Sequence, residues 1–243
     1  MAMSNWAASL LDVLPPALVE WGPVLLSGFV ASIELAVGGF GLGLLIGIFG
    51  AAGKLYGGVI LRDILEVYTT LVRAVPELVL ILLLYYSGTD AVNQVLALMG
   101  YPPIDISGLA AGIFVIGVVQ GAYSTEVLRG AIKAVPVGQI EAARAFGMSP
   151  VKVMRRVTLP AMLPHAIPGL ANLWMIATKD TALLAVVGFT ELTLATRQAA
   201  GSTKAYMLFY CSAGLLYLAL TLGSSVVIRI IERRARRGMV NPI

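Results

Sequence analysis

Residues 138–160 read Gly138-Gln139-Ile140-Glu141-Ala142-Ala143-Arg144-Ala145-Phe146-Gly147-Met148-Ser149-Pro150-Val151-Lys152-Val153-Met154-Arg155-Arg156-Val157-Thr158-Leu159-Pro160. No other stretch in the middle of the chain is as long and as poorly suited to a bilayer. Glu141, Arg144, Lys152, Arg155 and Arg156 stand here between apolar segments. Residues 139–146 are good helix formers. Gly147 predicts a helix stop. Ser149-Pro150 predicts the cap and first position of a second short helix, ending before Pro160. A hairpin this charged reads either as a docking piece or as an amphipathic loop on the lipid surface.

The flanking composition decides the fold class. Of 243 residues, 58% are hydrophobic and 12% are charged, against about 25% charged in a soluble domain. Apolar runs of about 20 residues or more are long enough to cross a bilayer core. The expectation is an all-α membrane protein forming one domain over residues 1–243. The net charge of +4 is explained by membrane topology, with no nucleic-acid partner. The single Cys211 excludes an internal disulfide framework. The N-terminal segment lacks the basic start of a cleaved signal peptide. No inverted repeat of the secondary-transporter kind is evident.

Five transmembrane helices are predicted, over residues 22–50, 64–86, 108–128, 165–188 and 206–231. Residues 5–20 read as an interfacial helix anchored by Trp6 and Trp21. Gly39, Gly43 and Gly47 share one face of the first span and predict close helix packing. Lys54 and Arg62 fall in the polar loop that follows. One side of the membrane collects 13 of the 17 basic residues, ending in Arg233, Arg234, Arg236 and Arg237. That bias puts the N-terminus outside, the C-terminus in the cytoplasm and the hairpin on the cytoplasmic side.

Charges inside spans are costly and should face protein, partner or water. Glu34 lies roughly 18 Å from the outer start of its span, and Glu77 roughly 20 Å from the inner start of its own. The two carboxylates thus fall at similar depth, suiting a guanidinium, ammonium or imidazolium group. Two readings stand for Glu77: contact with a solute, or pairing with Arg73 four residues earlier. Pro76 predicts a kink at that depth. Lys179 and Asp180 either neutralise one another or line the path. Glu126 is expected to steady the cytoplasmic end with Arg129. Tyr85 and Tyr86 read as interface anchors or as part of a gate. Gly50-Ala51-Ala52-Gly53-Lys54-Leu55 lacks the glycine spacing and the Ser/Thr of a phosphate loop. Lone His165 and Cys211 supply no metal set or nucleophile pair, so no catalytic or metal site is expected.

Glu141-Ala142-Ala143, three residues, Gly147, nine residues, then Val157-Thr158-Leu159-Pro160 resembles the EAA loop of ABC importer permeases. Val157 in place of Ile is the one departure. The resemblance implies the type I importer permease fold, with a cytoplasmic coupling loop over about residues 131–163. Its coupling helix, around residues 138–147, would sit in a groove of an ATPase subunit. Glu141, Ala142, Ala143, Gly147, Leu159 and Pro160 would carry that coupling.

Residues 72–78, Gly121-Ala122-Tyr123 and Lys179-Asp180-Thr181-Ala182-Leu183 look like those of polar amino-acid permeases. Ile33-Glu34-Leu35, Glu77 after Pro76, and Ile104-Asp105-Ile106 narrow this to the Q-type subunits of histidine, lysine/arginine/ornithine and opine importers. Implied partners are an M-type permease, two copies of an ATPase that binds ATP and Mg, and a periplasmic solute-binding protein. The chain itself would hold no cofactor, sit in a bacterial inner membrane and carry basic amino acids. Glu34, Arg73, Pro76, Glu77, Lys179 and Asp180 are the candidate substrate path. An opine importer and a proton-coupled secondary transporter are the alternatives.

Overall fold

The computed structural model describes residues 15–104 and 106–235, and every regular element among them is helical. Of the interfacial segment expected over residues 5–20, residues 5–14, with Trp6, lie outside the described residues, as do Asp105, Arg236 and Arg237, while residues 16–20 are continuous with the first long helix and form no separate element. The elements are α1 (Pro16–Tyr56), α2 (Val59–Ala74), α3 (Glu77–Leu98), α4 (Gly108–Lys133), α5 (Val137–Ala145), α6 (Pro150–Val153), α7 (Leu159–Asp180), α8 (Leu192–Thr203) and α9 (Tyr206–Ala235). A π-helical turn, Met154–Thr158, joins α6 to α7, and a 3₁₀ turn, Thr181–Ala185, follows α7.

The fold is built on α1 against α4. Gly39, Gly43 and Gly47 are all buried. A Cβ at Gly43 would stand 2.7 Å from the Gln120 Cβ, and one at Gly39 would press into Ile116. Gly112, Gly117 and Gly121 on α4 receive Leu35, Leu42 and Ile46 in return. Small residues on both faces bring the two backbones together, where dispersion replaces the hydrophobic drive that lipid cannot supply. Around this pair, Leu25, Leu192 and Phe209 tie α1 to α8 and α9, while Ala51, Leu128 and Met162 tie it to α4 and α7. Trp21 packs against the first of these clusters.

Among the described residues, four helices are long and apolar enough to cross a membrane: α1, α3, α4 and α9. α7 matches α3 at 22 residues but carries Pro160, Pro164, His165, Pro168, Lys179 and Asp180. Outward-facing Leu26, Val30, Leu45 and Phe49 on α1, and Leu215, Leu218 and Leu222 on α9, are exposed, as a lipid-facing surface requires.

Several expected boundaries are corrected. α1 runs on to Tyr56, so Lys54 is in a helix and buried, with no loop around it. The expected span over residues 64–86 is two helices, broken at Val75 and Pro76. Pro76 therefore does not kink a continuous helix. Extended backbone at Val75 (ψ 138°) ends α2, as proline disfavours α geometry in the residue before it. Pro76 itself occupies the N-cap of α3. α3 then reaches Leu98, well past Tyr86. The fourth expected span ends early, at Asp180, and residues 192–203, between the fourth and fifth expected spans, form α8.

Candidate functional site

The hairpin begins where Pro136 caps α5. Ile140 packs on the cluster of Ala51, Leu128 and Met162, and Ala143 is buried, so one face of α5 is held to the bundle. Glu141 and Ala142 are exposed on the other. Gly147 has φ +73°, its N–H donates to the Arg144 carbonyl at 2.9 Å, and the Met148 N–H donates to the Ala143 carbonyl at 3.2 Å. These two bonds close a Schellman turn at the position glycine fits best. The hairpin also exposes Val137, Phe146 and Val151, with Phe146 86% exposed. Phe146 was not singled out in the sequence. An aromatic directly before a helix-stopping glycine was the available signal.

The far end of the hairpin departs from expectation. Ser149 holds the N-cap position of α6 without a side-chain cap bond. The second helix does not end before Pro160: a π turn carries it into α7, with the Leu159 N–H donating to the Met154 carbonyl. Pro160 falls in the first turn of α7, where a missing N–H is tolerated. Leu159 and Pro160 are exposed.

A second cluster lies at the N-terminus of α3 and the C-terminus of α7. Glu77, half-buried in the first turn of α3, acts on Asp180, the last residue of α7, and on the Tyr123 hydroxyl of α4. The Gln120 side chain is fully buried, and its Nε2 donates to Asp180 Oδ2 at 3.1 Å. Gln120 Oε1 and the buried Ser124 hydroxyl have no hydrogen-bond partner among the described residues. Two carboxylates, a phenol and a free amide oxygen leave this cluster rich in acceptors.

Arg73 and Glu77 form no ion pair. The break at Pro76 destroys the i,i+4 register, and Arg73 Nε donates to the Thr69 carbonyl at 3.1 Å. Glu34 is exposed and makes no hydrogen bond or ion pair among the described residues. Lys179 is exposed and makes no ion pair among them either, acting on Asp180 only through space. Glu77 thus acts electrostatically on Asp180 and Tyr123, and no contact joins it to Glu34 among the described residues. Tyr85 is half-buried and Tyr86 exposed, their rings edge-on at 5.6 Å.

Between hairpin and cluster lies a junction that the sequence left unread. Lys54 Nζ contacts Glu66 Oε2 at 2.6 Å and Glu126 Oε1 at 2.6 Å, and donates to Thr69 Oγ1 at 2.8 Å. Arg129 completes the group with a 2.6 Å contact to Glu126 Oε2, as expected for that pair. One ammonium thereby joins α1, α2 and α4. Glu191 is a second such case: buried, it caps α8 by accepting from the Leu194 N–H at 2.9 Å, from Tyr217 at 3.0 Å and from Ser32 at 3.2 Å.

Residues 39–237 match the family described as binding-protein-dependent transport system inner membrane component. The chain belongs to this family. It is 42% identical over 222 residues to the histidine/lysine/arginine/ornithine transport system permease protein HisQ of Escherichia coli K12, covering 91% of this chain and 97% of that one. It is 38% identical over 220 residues to the octopine transport system permease protein OccQ of Rhizobium radiobacter, covering 90% and 93%. A solved structure described as an amino acid ABC transporter with histidines superposes with a TM-score of 0.76 at 29% identity, covering 89% of this chain and 96% of that one. As an inner membrane component, the chain is a membrane permease of the type its hairpin motif resembles.

Proposed function

We propose that this chain is the permease subunit of an ATP-driven importer for basic amino acids, with histidine, arginine, lysine and ornithine as the solute class. The observation that carries the solute class is the Glu77–Asp180 pair. Two like charges that act on one another repel, and a guanidinium or ammonium placed between them relieves that repulsion while donating to both. Gln120 Oε1 and the Tyr123 hydroxyl offer further acceptors. Glu34 is on the outer surface of α1, open to a companion permease; Arg73, Pro76 and Lys179 flank the path.

The hairpin is the docking piece for an ATPase subunit. Glu141 gives it polar contact, Phe146 and Val151 give it apolar contact, and Gly147 sets its turn. ATP and Mg are handled by an ATPase homodimer, with no catalysis on this chain. The remaining partners are an M-type permease and a periplasmic binding protein. The whole chain acts as one transmembrane domain of five spans, α7 being the fifth, with the N-terminus outside and the C-terminus in the cytoplasm.

The test is arginine uptake by the assembled complex in proteoliposomes with internal ATP and external binding protein. Glu77→Gln with Asp180→Asn should cut uptake about tenfold or more, the scale of a lost charge-assisted hydrogen bond, while the complex stays assembled. Unchanged uptake would sink the acid-pair reading. An opine importer is the second reading, favoured by the octopine relative. Competition between arginine and octopine for uptake separates the two.

A further inference from the structure

Gln120 is costly where it stands. It lies midway along α4, fully buried, on the face turned to α1, where a Cβ on Gly43 would stand 2.7 Å from the Gln120 Cβ. Its Oε1 has no partner among the described residues, and an unpaired buried acceptor destabilises a fold. An apolar side chain of the same length would fill the place without that loss. Folding therefore does not account for an amide here.

The other end of the amide does what an apolar chain cannot. Its Nε2 donates to Asp180 Oδ2 at 3.1 Å, reaching from α4 to the last residue of α7. Asp180 needs that hold. It is half-buried, Glu77 acts on it as a like charge, and the helix gives way to a 3₁₀ turn at the next residue. A carboxylate accepts on both oxygens. A donor fixed on Oδ2 sets the plane of the group and leaves Oδ1 for an incoming donor. Gln120 is itself immobilised, since its side chain is wholly enclosed and its Cβ abuts Gly43. A binding group backed by a rigid, buried hydrogen-bond partner keeps its geometry to a fraction of an ångström.

We propose that Gln120 is the positioning residue that sets the affinity of this site for a cationic side chain, by holding the Asp180 carboxylate in place for a guanidinium or ammonium. This role rests on the acid-pair reading above and deepens it: the solute meets Asp180, and Gln120 aims Asp180. A charged donor gains more from an aimed carboxylate than a neutral one does. Loss of the Gln120 donor should therefore fall harder on arginine than on citrulline, which is as long but ends in an uncharged urea.

The test is equilibrium binding of labelled arginine and labelled citrulline to the assembled transporter, purified in detergent and without binding protein. Gln120→Met keeps the length and loses the donor, whereas Gln120→Asn keeps the amide and loses the reach. Each should weaken arginine binding about tenfold, the scale of one hydrogen bond to a charged group, and lower the preference for arginine over citrulline. Gln120→Met should leave the unfolding midpoint of the complex undiminished, because it also removes the unpaired Oε1. Asp180→Asn should weaken arginine binding by itself, and Gln120→Met added to it should weaken binding no further. Unchanged arginine affinity in either Gln120 variant would overturn the proposal, and so would equal losses for arginine and citrulline with a lowered midpoint, the mark of a structural residue. Additive losses with Asp180→Asn would overturn it too, since Oε1 would then meet the solute directly. Should Asp180→Asn alone leave arginine binding unchanged, the acid-pair reading falls and this role with it. A loss in Asp180→Asn with none in the Gln120 variants removes the positioning role alone.

Discussion

Lys54 shows what one buried charge does to its neighbours. Its side chain is 2% exposed, while its partners Glu66 and Glu126 are 62% and 15% exposed. Losing Glu66 alone resembles losing a surface pair, worth roughly 0–1 kcal/mol. Losing both acids strands an ammonium in the bundle, where an unpaired buried charge costs about 3–5 kcal/mol. Glu66→Gln should therefore barely move the thermal unfolding midpoint of the purified complex. Glu66→Gln with Glu126→Gln should lower it by more than the sum of the single changes; additive shifts would mean that Lys54 finds water. Lys54→Met should be milder than that double variant, because Arg129 still satisfies Glu126. None of this was legible in the sequence. Lys54 sits among Gly53, Gly57 and Gly58 and reads as loop, while its partners lie 12, 15 and 72 residues away. Glu191 was equally silent: its capping role needs the buried Ser32 and Tyr217 from distant helices. Arg129 and Glu126, three apart on one helix, were readable because their pairing is local.

At the scale of elements, the hairpin was the most legible part of the molecule. Its helix, its glycine stop and its serine–proline restart are set by local propensity, which tertiary packing did not override. Its exit was not legible, since a proline at residue 160 reads as a terminator unless a π turn is known to precede it. The split at Pro76 was missed for the converse reason. Apolar composition continues through the proline, and composition carries the span signal while backbone geometry carries the break. Gly147 gives the element its sharpest test. A Cβ there would meet nothing within 4 Å, so the cost of substitution is conformational alone. Left-handed backbone costs an ordinary L-residue about 1–2 kcal/mol, and asparagine visits it more readily. Gly147→Val should uncouple ATP hydrolysis from uptake, whereas Gly147→Asn should retain most of the parent rate. Equal loss in both would point to a steric role against the partner. Gly43 is the opposite case: Gly43→Ala places a methyl 2.7 Å from the Gln120 Cβ. It should loosen α1 from α4 and lower both the unfolding midpoint and, through the displaced Gln120, arginine uptake.

At the scale of the whole molecule, hairpin and acid pair share the same two helices. α4 leads into the hairpin at Lys133 and α7 leads out of it at Leu159. The cluster draws Gln120 and Tyr123 from α4 and Asp180 from the far end of α7, roughly 33 Å along that helix. In the proposed mechanism, a rigid displacement of α5 reaches Asp180 through α7 and Gln120 and Tyr123 through α4, with Lys54 pinning α1 and α2 to α4. Ends this far apart can be broken separately. Glu141→Arg changes only an exposed side chain and should leave membrane insertion and substrate-stage binding intact while ATPase subunits are lost from the purified complex. Glu77→Gln should keep those subunits and basal ATP hydrolysis but lose arginine uptake. Sealed vesicles add the third arm, because both variants and the parent should ignore an imposed proton gradient when ATP is withheld. Uptake driven by the gradient alone would make Glu77 and Asp180 proton carriers and leave the hairpin without a mechanical role. Loss of ATPase subunits in the Glu77 variant would mean that the cluster and the docking surface are one structural unit, and that the two-helix linkage transmits folding stability in place of motion.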